Sequence, residues 1–187
     1  MDAIVKRIVL KVRKGDHNAF GELVELYKDR VFALTYRMLG NRQEAEDVAQ
    51  EAFIRAYTNI DRYQIDRKFS TWLYRIATNL SIDRMRKKKP DYYLDAEVSG
   101  TEGLTMYSQI STDEPLPEEE VVSLEAQEGI HQAILSLPAK YRSAITLKYI
   151  QELSLKEISE ILDLPVGTVK TRIHRGREAL RKKLREQ

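Results

Sequence analysis

Near the carboxyl end, six polar residues within eight positions have side chains suited to contact nucleic acid. Arginine and lysine can donate hydrogen bonds to guanine edges in the major groove, and threonine can contact a base or a phosphate. Lys170, Thr171 and Arg175 are the best candidates for reading bases. Arg172, Arg177 and the basic cluster at 181–183, which includes Lys182, would mostly neutralise phosphate, which fixes register and makes binding depend on salt. The six residues are Lys170, Thr171, Arg172, His174, Arg175 and Arg177.

Two short helices are predicted to position these side chains. Ser154 to Glu157 has the form of a capping box, which predicts a helix start, and Pro165 suits the first turn of a second helix. Apolar residues recur on one stripe of that second helix, so its basic residues must be largely exposed. The stripe consists of Val169, Ile173, Leu180 and Leu184. The pattern is typical of a helix-turn-helix. The alternative interpretation is an ordinary helical hairpin with a basic tail. It is not excluded, because the turn lacks the glycine often found in a helix-turn-helix.

Charge is strongly partitioned along the chain although the net charge is only +2. Residues 66–89 hold eight Lys or Arg against two acids, residues 91–130 hold eleven acids and no base, and residues 163–187 hold eight bases against three acids. Local charge governs attraction to a polyanion, so two separate nucleic-acid contacts are expected. The alternative is that each run is a solvated helix face.

The apolar spacing predicts an all-α fold in two small domains. Helices are predicted near 3–12, from Phe20 to Met38 with an end at Gly40, near 42–60, and from a Ser70 cap to the lysines before Pro90. Together they would form a compact four-helix domain. Residues 91–118 lose the helical period and are interpreted as an acidic flexible linker. Helical periodicity returns from about residue 122, which gives domains at 1–90 and 119–187.

Composition excludes several classes of protein. The chain has no cysteine, so disulfide frameworks and thiolate zinc sites are excluded, and its three histidines lack metal-ligand spacing. No signal peptide pattern and no run of eighteen apolar residues is present, which predicts a cytoplasmic protein without direct membrane insertion. No cofactor and no metal are expected.

Three blocks in order resemble signatures of the extracytoplasmic-function sigma factors, a group of the sigma-70 family of RNA polymerase subunits. They are residues 47–57 (DVAQEAFIRAY), 69–79 (FSTWLYRIATN) and 165–173 (PVGTVKTRI). The resemblance spans nearly the whole chain. It implies a protein without a catalytic site that binds core RNA polymerase and directs transcription of a cell-envelope stress regulon. The four-helix domain would then be the sigma-2 domain and the helix-turn-helix domain would be the sigma-4 domain.

The resemblance also implies roles for individual residues. The polar face of the third predicted helix would dock on the β′ clamp helices of the polymerase, through Asp47, Gln50, Glu51 and Arg55. The loop at 61–68 and the following helix would handle the minus-10 promoter element, with Asn79 helping to hold an extruded base. The residues assigned to this element are Tyr63, Asn79, Arg84, Arg86 and Lys87.

For the second domain the resemblance implies binding to the minus-35 element, with the polymerase β-flap in an apolar cleft. The acidic linker would run through the basic RNA-exit path and set the spacing of the domains. A membrane-anchored anti-sigma factor is the implied regulator.

Two other functions are weighed against this interpretation. A conventional helix-turn-helix regulator would dimerise and bind its operator tightly without polymerase. A helical metal-dependent phosphohydrolase could use Glu44, Asp47 and Glu51 as magnesium ligands, but the sequence offers no convincing second acidic pair on a facing helix.

Overall fold

The computed structural model describes residues 2–88 and 124–185, and every regular element in these ranges is helical. The predicted linker and the stop at Pro90 lie outside the described residues. The prediction of an all-helical fold in two units is confirmed for the parts of the chain that are described.

The first unit has four helices. They are α1 (Asp2–Arg13), α2 (Ala19–Leu39), α3 (Arg42–Thr58) and α4 (Phe69–Lys88), with a short 3₁₀ turn at Ile60–Arg62. The predicted order is confirmed, but α3 ends two residues early and α4 begins at Phe69 rather than after a Ser70 cap.

The junction between α2 and α3 follows from local chemistry. Gly40 adopts a φ of 72°, a left-handed conformation that ends α2, and its amide donates to the Tyr36 carbonyl. Asn41 then accepts a hydrogen bond from the Glu44 amide and begins α3. This sharp reversal lays α3 against α2, and α4 packs on both.

The second unit consists of α5 (Leu124–Leu135), α6 (Ala139–Ile145), α7 (Leu155–Leu162) and α8 (Val166–Arg185). After α6 the chain continues into a wider π-helical turn, Thr146–Ile150. Its core includes Ile145, Leu147, Ile158 and Ile161, all nearly inaccessible to solvent.

The two units pack against each other, and their apolar interiors are continuous. Helix α7 lies on α4, and the α6 region and α5 lie on α2. Among the described residues, no helix is both long and apolar enough to cross a membrane.

Candidate nucleic-acid interface

The predicted capping box at the start of α7 is confirmed. The Ser154 hydroxyl accepts a hydrogen bond from the Glu157 amide at 3.2 Å, and the Ser154 amide donates to the Glu157 carboxylate at 2.9 Å. Burial alone would raise the pKa of Glu157, but hydrogen bonds from Lys68 and Ser154 outweigh it and the pKa is lowered. The glutamate is therefore held ionised at the helix start, where a negative charge is favourable.

The turn between α7 and α8 is made without glycine. Asp163 takes the left-handed conformation, with a φ of 56°, which aspartate tolerates better than most residues. The Leu164 amide then donates to the Ser159 carbonyl at 3.1 Å. The missing glycine thus does not prevent a tight helix-turn-helix.

Helix α8 is held by a narrow contact. Val169, Ile173 and Gly176 are buried, and they follow one another at helical spacing. A Cβ at Gly176 would lie 2.6 Å from Ile145 Cγ1, so only glycine lets α8 approach α6 this closely. The predicted stripe continues through Leu180, but Leu184 is exposed.

The structure places all six residues that were predicted to bind the minus-35 element on α8, with different degrees of exposure. Lys170 is exposed, whereas the others are half-buried. The Thr171 hydroxyl donates to the Gly167 carbonyl at 3.1 Å, and His174 lies 3.4 Å from Glu178. Burial lowers the pKa of Arg172, with the Tyr141 hydroxyl opposing the shift.

In the first unit, a cavity of about 300 Å³ opens between α3 and α4. Three aliphatic or aromatic side chains and several polar groups line it, so it offers both a stacking surface and hydrogen-bonding atoms. Asn79 is one of the polar lining residues. The full lining is Arg55, Asn59, Arg62, Trp72, Ile76, Asn79, Leu80 and Asp83.

Tyr63 lies behind this cavity rather than in it. Only 3% of Tyr63 is exposed, and its ring packs on Phe69 at 5.3 Å and on Trp72 at 5.2 Å between centroids. Its hydroxyl donates to the Arg67 carbonyl. The ring is therefore part of the core in this structure and holds the loop that leads into α4.

Arg13 is a loop anchor that the sequence reasoning missed. Its guanidinium donates to the Ile60 carbonyl at 2.9 Å and also to the Tyr63 carbonyl. These bonds join α1 to the loop before α4 across about fifty positions, and a single sequence carries no periodic signal for such a contact.

The remaining predicted minus-10 residues lie toward the end of α4. Arg84 is half-buried, and Arg86 and Lys87 are exposed. The next residue, Lys88, pairs with Glu44 at 2.6 Å and so attaches the end of α4 to the start of α3.

The four predicted polymerase-contact residues share the outer face of α3. Asp47, Gln50 and Arg55 are exposed, and Glu51 pairs with Arg55 at 2.8 Å. Ile54, which the sequence reasoning did not single out, is 56% exposed between them. Ile54 thus adds one exposed apolar side chain to this polar face.

The described residues contain no cluster of three or more His, Cys, Asp or Glu side chains that could hold a metal ion. Of the three acids considered as magnesium ligands, Glu44 pairs with Lys88 and Glu51 with Arg55. The structure therefore offers no support for the phosphohydrolase alternative.

Comparisons with known proteins cover both units. The family Sigma-70 region 2 matches residues 23–90, and Sigma-70, region 4 matches residues 127–180. The chain is 69% identical over 186 residues to the extracytoplasmic-function RNA polymerase sigma factor SigW of Bacillus subtilis, covering 100% of both chains.

Two solved structures share the fold. CnrH in complex with the cytosolic domain of CnrY matches with a TM-score of 0.68 at 24% identity, covering 97% of each chain. The sigma factor RpoE of Bartonella quintana, in complex with the anti-sigma factor NepR, matches with a TM-score of 0.66 at 23% identity, covering 89% of this chain and 96% of that one.

Proposed function

The chain belongs to the extracytoplasmic-function group of the sigma-70 RNA polymerase sigma factors, and we propose which of its surfaces meet the polymerase and each promoter element. Members of the family bind RNA polymerase and promoter DNA, and the chain is a transcription initiation factor, not an enzyme. We assign residues 1–90 to the minus-10 and polymerase contacts, 91–118 to the linker and 119–187 to the minus-35 contact.

For the minus-35 element we propose that α8 enters the major groove. Lys170, Thr171 and Arg175 would read base edges, and Arg172, His174 and Arg177 would contact phosphates. Support comes from the position of these residues on the second helix of a helix-turn-helix, the element that lies in the groove in this motif. The exposure of Lys170 near the amino-terminal end of α8 suits a base contact.

For the minus-10 element we propose that the cavity between α3 and α4 accepts an unstacked base. Its volume of about 300 Å³ is sufficient for one base, and Asn79 offers both donor and acceptor atoms to a base edge. Trp72 gives it an aromatic wall. Arg84, Arg86 and Lys87 would follow the phosphates along the end of α4, while Tyr63 would act from the core by fixing the loop.

For the polymerase we propose that the outer face of α3 docks on the β′ clamp helices, through Asp47, Gln50, Glu51 and Arg55 around the exposed Ile54. Charge would orient the contact, and burial of Ile54 would add affinity. The β-flap would occupy an apolar cleft of the second domain.

Regulation by a membrane-anchored anti-sigma factor is part of the same proposal, as is action in the cytoplasm on a cell-envelope stress regulon. The support is membership in the family, together with a structural relative solved in complex with an anti-sigma factor.

The observation that carries the proposal is the presence of both sigma-70 regions on one chain that is 69% identical to a sigma factor along its whole length. The test is association of the purified full chain with bacterial core polymerase at low salt, followed by transcription from a promoter. Asp47→Lys should abolish association because it reverses a charge on the α3 face. Glu25→Lys, a charge reversal at another exposed site, on α2, is the control and should bind normally.

Failure of the wild-type chain to associate with core polymerase would contradict the proposal. Tight sequence-specific binding by the chain without polymerase would instead favour the regulator alternative.

A further inference from the structure

A histidine lies at the contact between the two domains. His131 on α5 stacks on Tyr36 of α2, with ring centroids 4.8 Å apart and an interplanar angle of 20°. Only 3% of His131 is exposed. Neither ring nitrogen has a hydrogen-bond partner in the described parts of the chain. A buried imidazole in this position favours the neutral form, because a charged ring would lose its hydration without gaining a partner.

Cationic groups from two packed elements face the same ring. Burial lowers the pKa of His131 first, and Arg37 of α2 and Arg142 of α6 lower it further. Among the residues that the structure describes, the group that opposes this shift is Glu128 on the same helix, which is exposed to solvent. A proton on His131 would therefore create a third positive charge between the domains.

Arg142 connects this charge to the domain contact itself. Its Nη1 atom donates to the Met38 carbonyl of the first domain at 2.6 Å. Its Nη2 atom donates to the Leu137 carbonyl at 2.9 Å and also to the Leu135 carbonyl. The guanidinium thus bridges the end of α2 and the end of α5, and repulsion between Arg142 and a charged His131 would act on that bridge.

Polar side chains also join the two domains at the edges of their contact. Gln151 donates to the Arg30 carbonyl at 2.9 Å, and Lys68 pairs with Glu157 at 2.8 Å. Arg75 lies 3.8 Å from Asp163 at the turn before α8. The exposed Arg75–Asp163 pair adds little stability. Two packed regions hold the domains together, the contact of α7 with α4 and the contact of α5 and α6 with α2, and His131 lies in the second.

We propose that His131 is the trigger of a pH-sensitive latch between the two domains, which holds the free protein closed while the imidazole is neutral and releases it when the imidazole is protonated. The consequence for transcription rests on the function proposed above. Elements about 25 base pairs apart lie about 85 Å apart at 3.4 Å per pair, so two domains in direct contact cannot occupy both. Promoter binding therefore requires the open form.

The direction with pH follows from linkage. His131 has a lower pKa in the closed form than in the open form, so protons bind preferentially to the open form. At a pH above its ordinary pKa of about 6.5, the closed form keeps its full stability. Below that value, the ratio of open to closed molecules rises by up to about tenfold per pH unit, until the lowered pKa of the closed form is reached.

The experiment measures the separation of the domains in the full chain without polymerase or DNA. The chain has no cysteine, so Gln43→Cys and Lys156→Cys place one dye on an exposed site of each domain. Energy transfer and far-UV circular dichroism are recorded from about pH 8 to about pH 5, the range over which histidine titrates. We expect high transfer at the upper end and a fall toward the lower end, with an unchanged helical signal.

Three variants separate the trigger from a general effect of acid. His131→Phe can stack on Tyr36 but cannot titrate, so its transfer should stay high throughout. Arg37→Gln removes one facing cation and should shift the opening to lower pH. His17→Gln replaces an exposed histidine of the first domain and should follow the wild type.

Transfer that is already low at about pH 8, or that stays constant across the range, would overturn the proposal. An unchanged pH response in His131→Phe would overturn it as well. A loss of the helical signal that accompanies the fall in energy transfer would also overturn it, because the protein would then be unfolding. Because no polymerase is present, these outcomes are independent of whether the proposed promoter contacts are correct.

Discussion

Helices α4 and α8 are both 20 residues long and both end in basic residues, yet they are attached to the molecule in different ways. Helix α4 buries seven side chains along much of its length, including Phe69, Leu73, Tyr74 and Ala77, and packs on four other helices. Helix α8 buries only Val169, Ile173 and Gly176.

The difference supports the two modes of DNA recognition proposed above. A helix whose sides are mostly buried can offer DNA only a few polar atoms, and α4 offers them at a cavity where Asn79 lies beside Trp72. A helix attached by one narrow stripe can present a long face to the major groove. We infer that the first domain captures a single base and that the second reads several stacked base pairs.

The largest expected effect tests the burial of α4. Leu73 has no exposed surface, so Leu73→Ala should leave a cavity and reduce the free energy of unfolding by about 2–5 kcal/mol. Leu184→Ala, at a site on α8 that is 42% exposed, should change it by less than about 0.5 kcal/mol. Urea denaturation of the full chain measures both, and equal losses would remove the contrast between the helices.

The next effect tests the narrow attachment of α8. Gly176→Val should destabilise the second domain by about 1–3 kcal/mol, because the new side chain would meet Ile145. Gly167→Ala is the matched control, since a Cβ there meets nothing within 4 Å and alanine is the better helix former. Thermal unfolding should separate the two variants in opposite directions, and a tolerated valine would mean that α8 packs more loosely than described.

A third prediction compares two lysines of α8, one proposed to read a base and one proposed to contact a phosphate. Lys170→Ala should cost the polymerase holoenzyme about 1–3 kcal/mol at its preferred minus-35 sequence and relax the choice of base. Lys182→Ala should weaken binding uniformly across sequences and reduce the slope of log K against log salt by about 0.9. Binding titrations at several salt concentrations distinguish them, and identical behaviour of the two lysines would contradict the assignment.

The smallest effect concerns the start of α7, which places the turn before α8. Ser154→Ala should cost about 1 kcal/mol at neutral pH through loss of the cap. The pKa of Glu157 is lowered in the folded chain, so its stabilisation is present above the ordinary pKa and is lost as the pH falls below it. Denaturation of wild type and Ser154→Ala at neutral and acid pH should therefore give a smaller difference in acid, and a constant difference would count against the capping box as its source.

Features that depend on neighbouring residues could be predicted from the sequence. The end of α2 at Gly40 and the capping box of Ser154 and Glu157 are set by local backbone chemistry, and both are confirmed. The apolar spacing likewise indicated the buried positions Val169 and Ile173.

Features that depend on distant residues could not be predicted. Tyr63 stays a predicted minus-10 residue, and the packing of Phe69 and Trp72 against its ring was not predicted. The bonds from Arg13 to the loop before α4, and from Arg142 to Met38, join residues about 50 and 104 positions apart. No periodic pattern in one sequence encodes such pairs. Gly176 did carry a usable signal, since a glycine inside a helix often marks a close approach.

The most direct test of the two modes of recognition is transcription by the reconstituted holoenzyme on a promoter library in which both elements are randomised. We predict that Asn79→Ala relaxes the choice of base at the minus-10 element alone, and that Arg175→Ala relaxes the minus-35 element alone. Selected sequences that are identical for wild type and both variants would contradict the account.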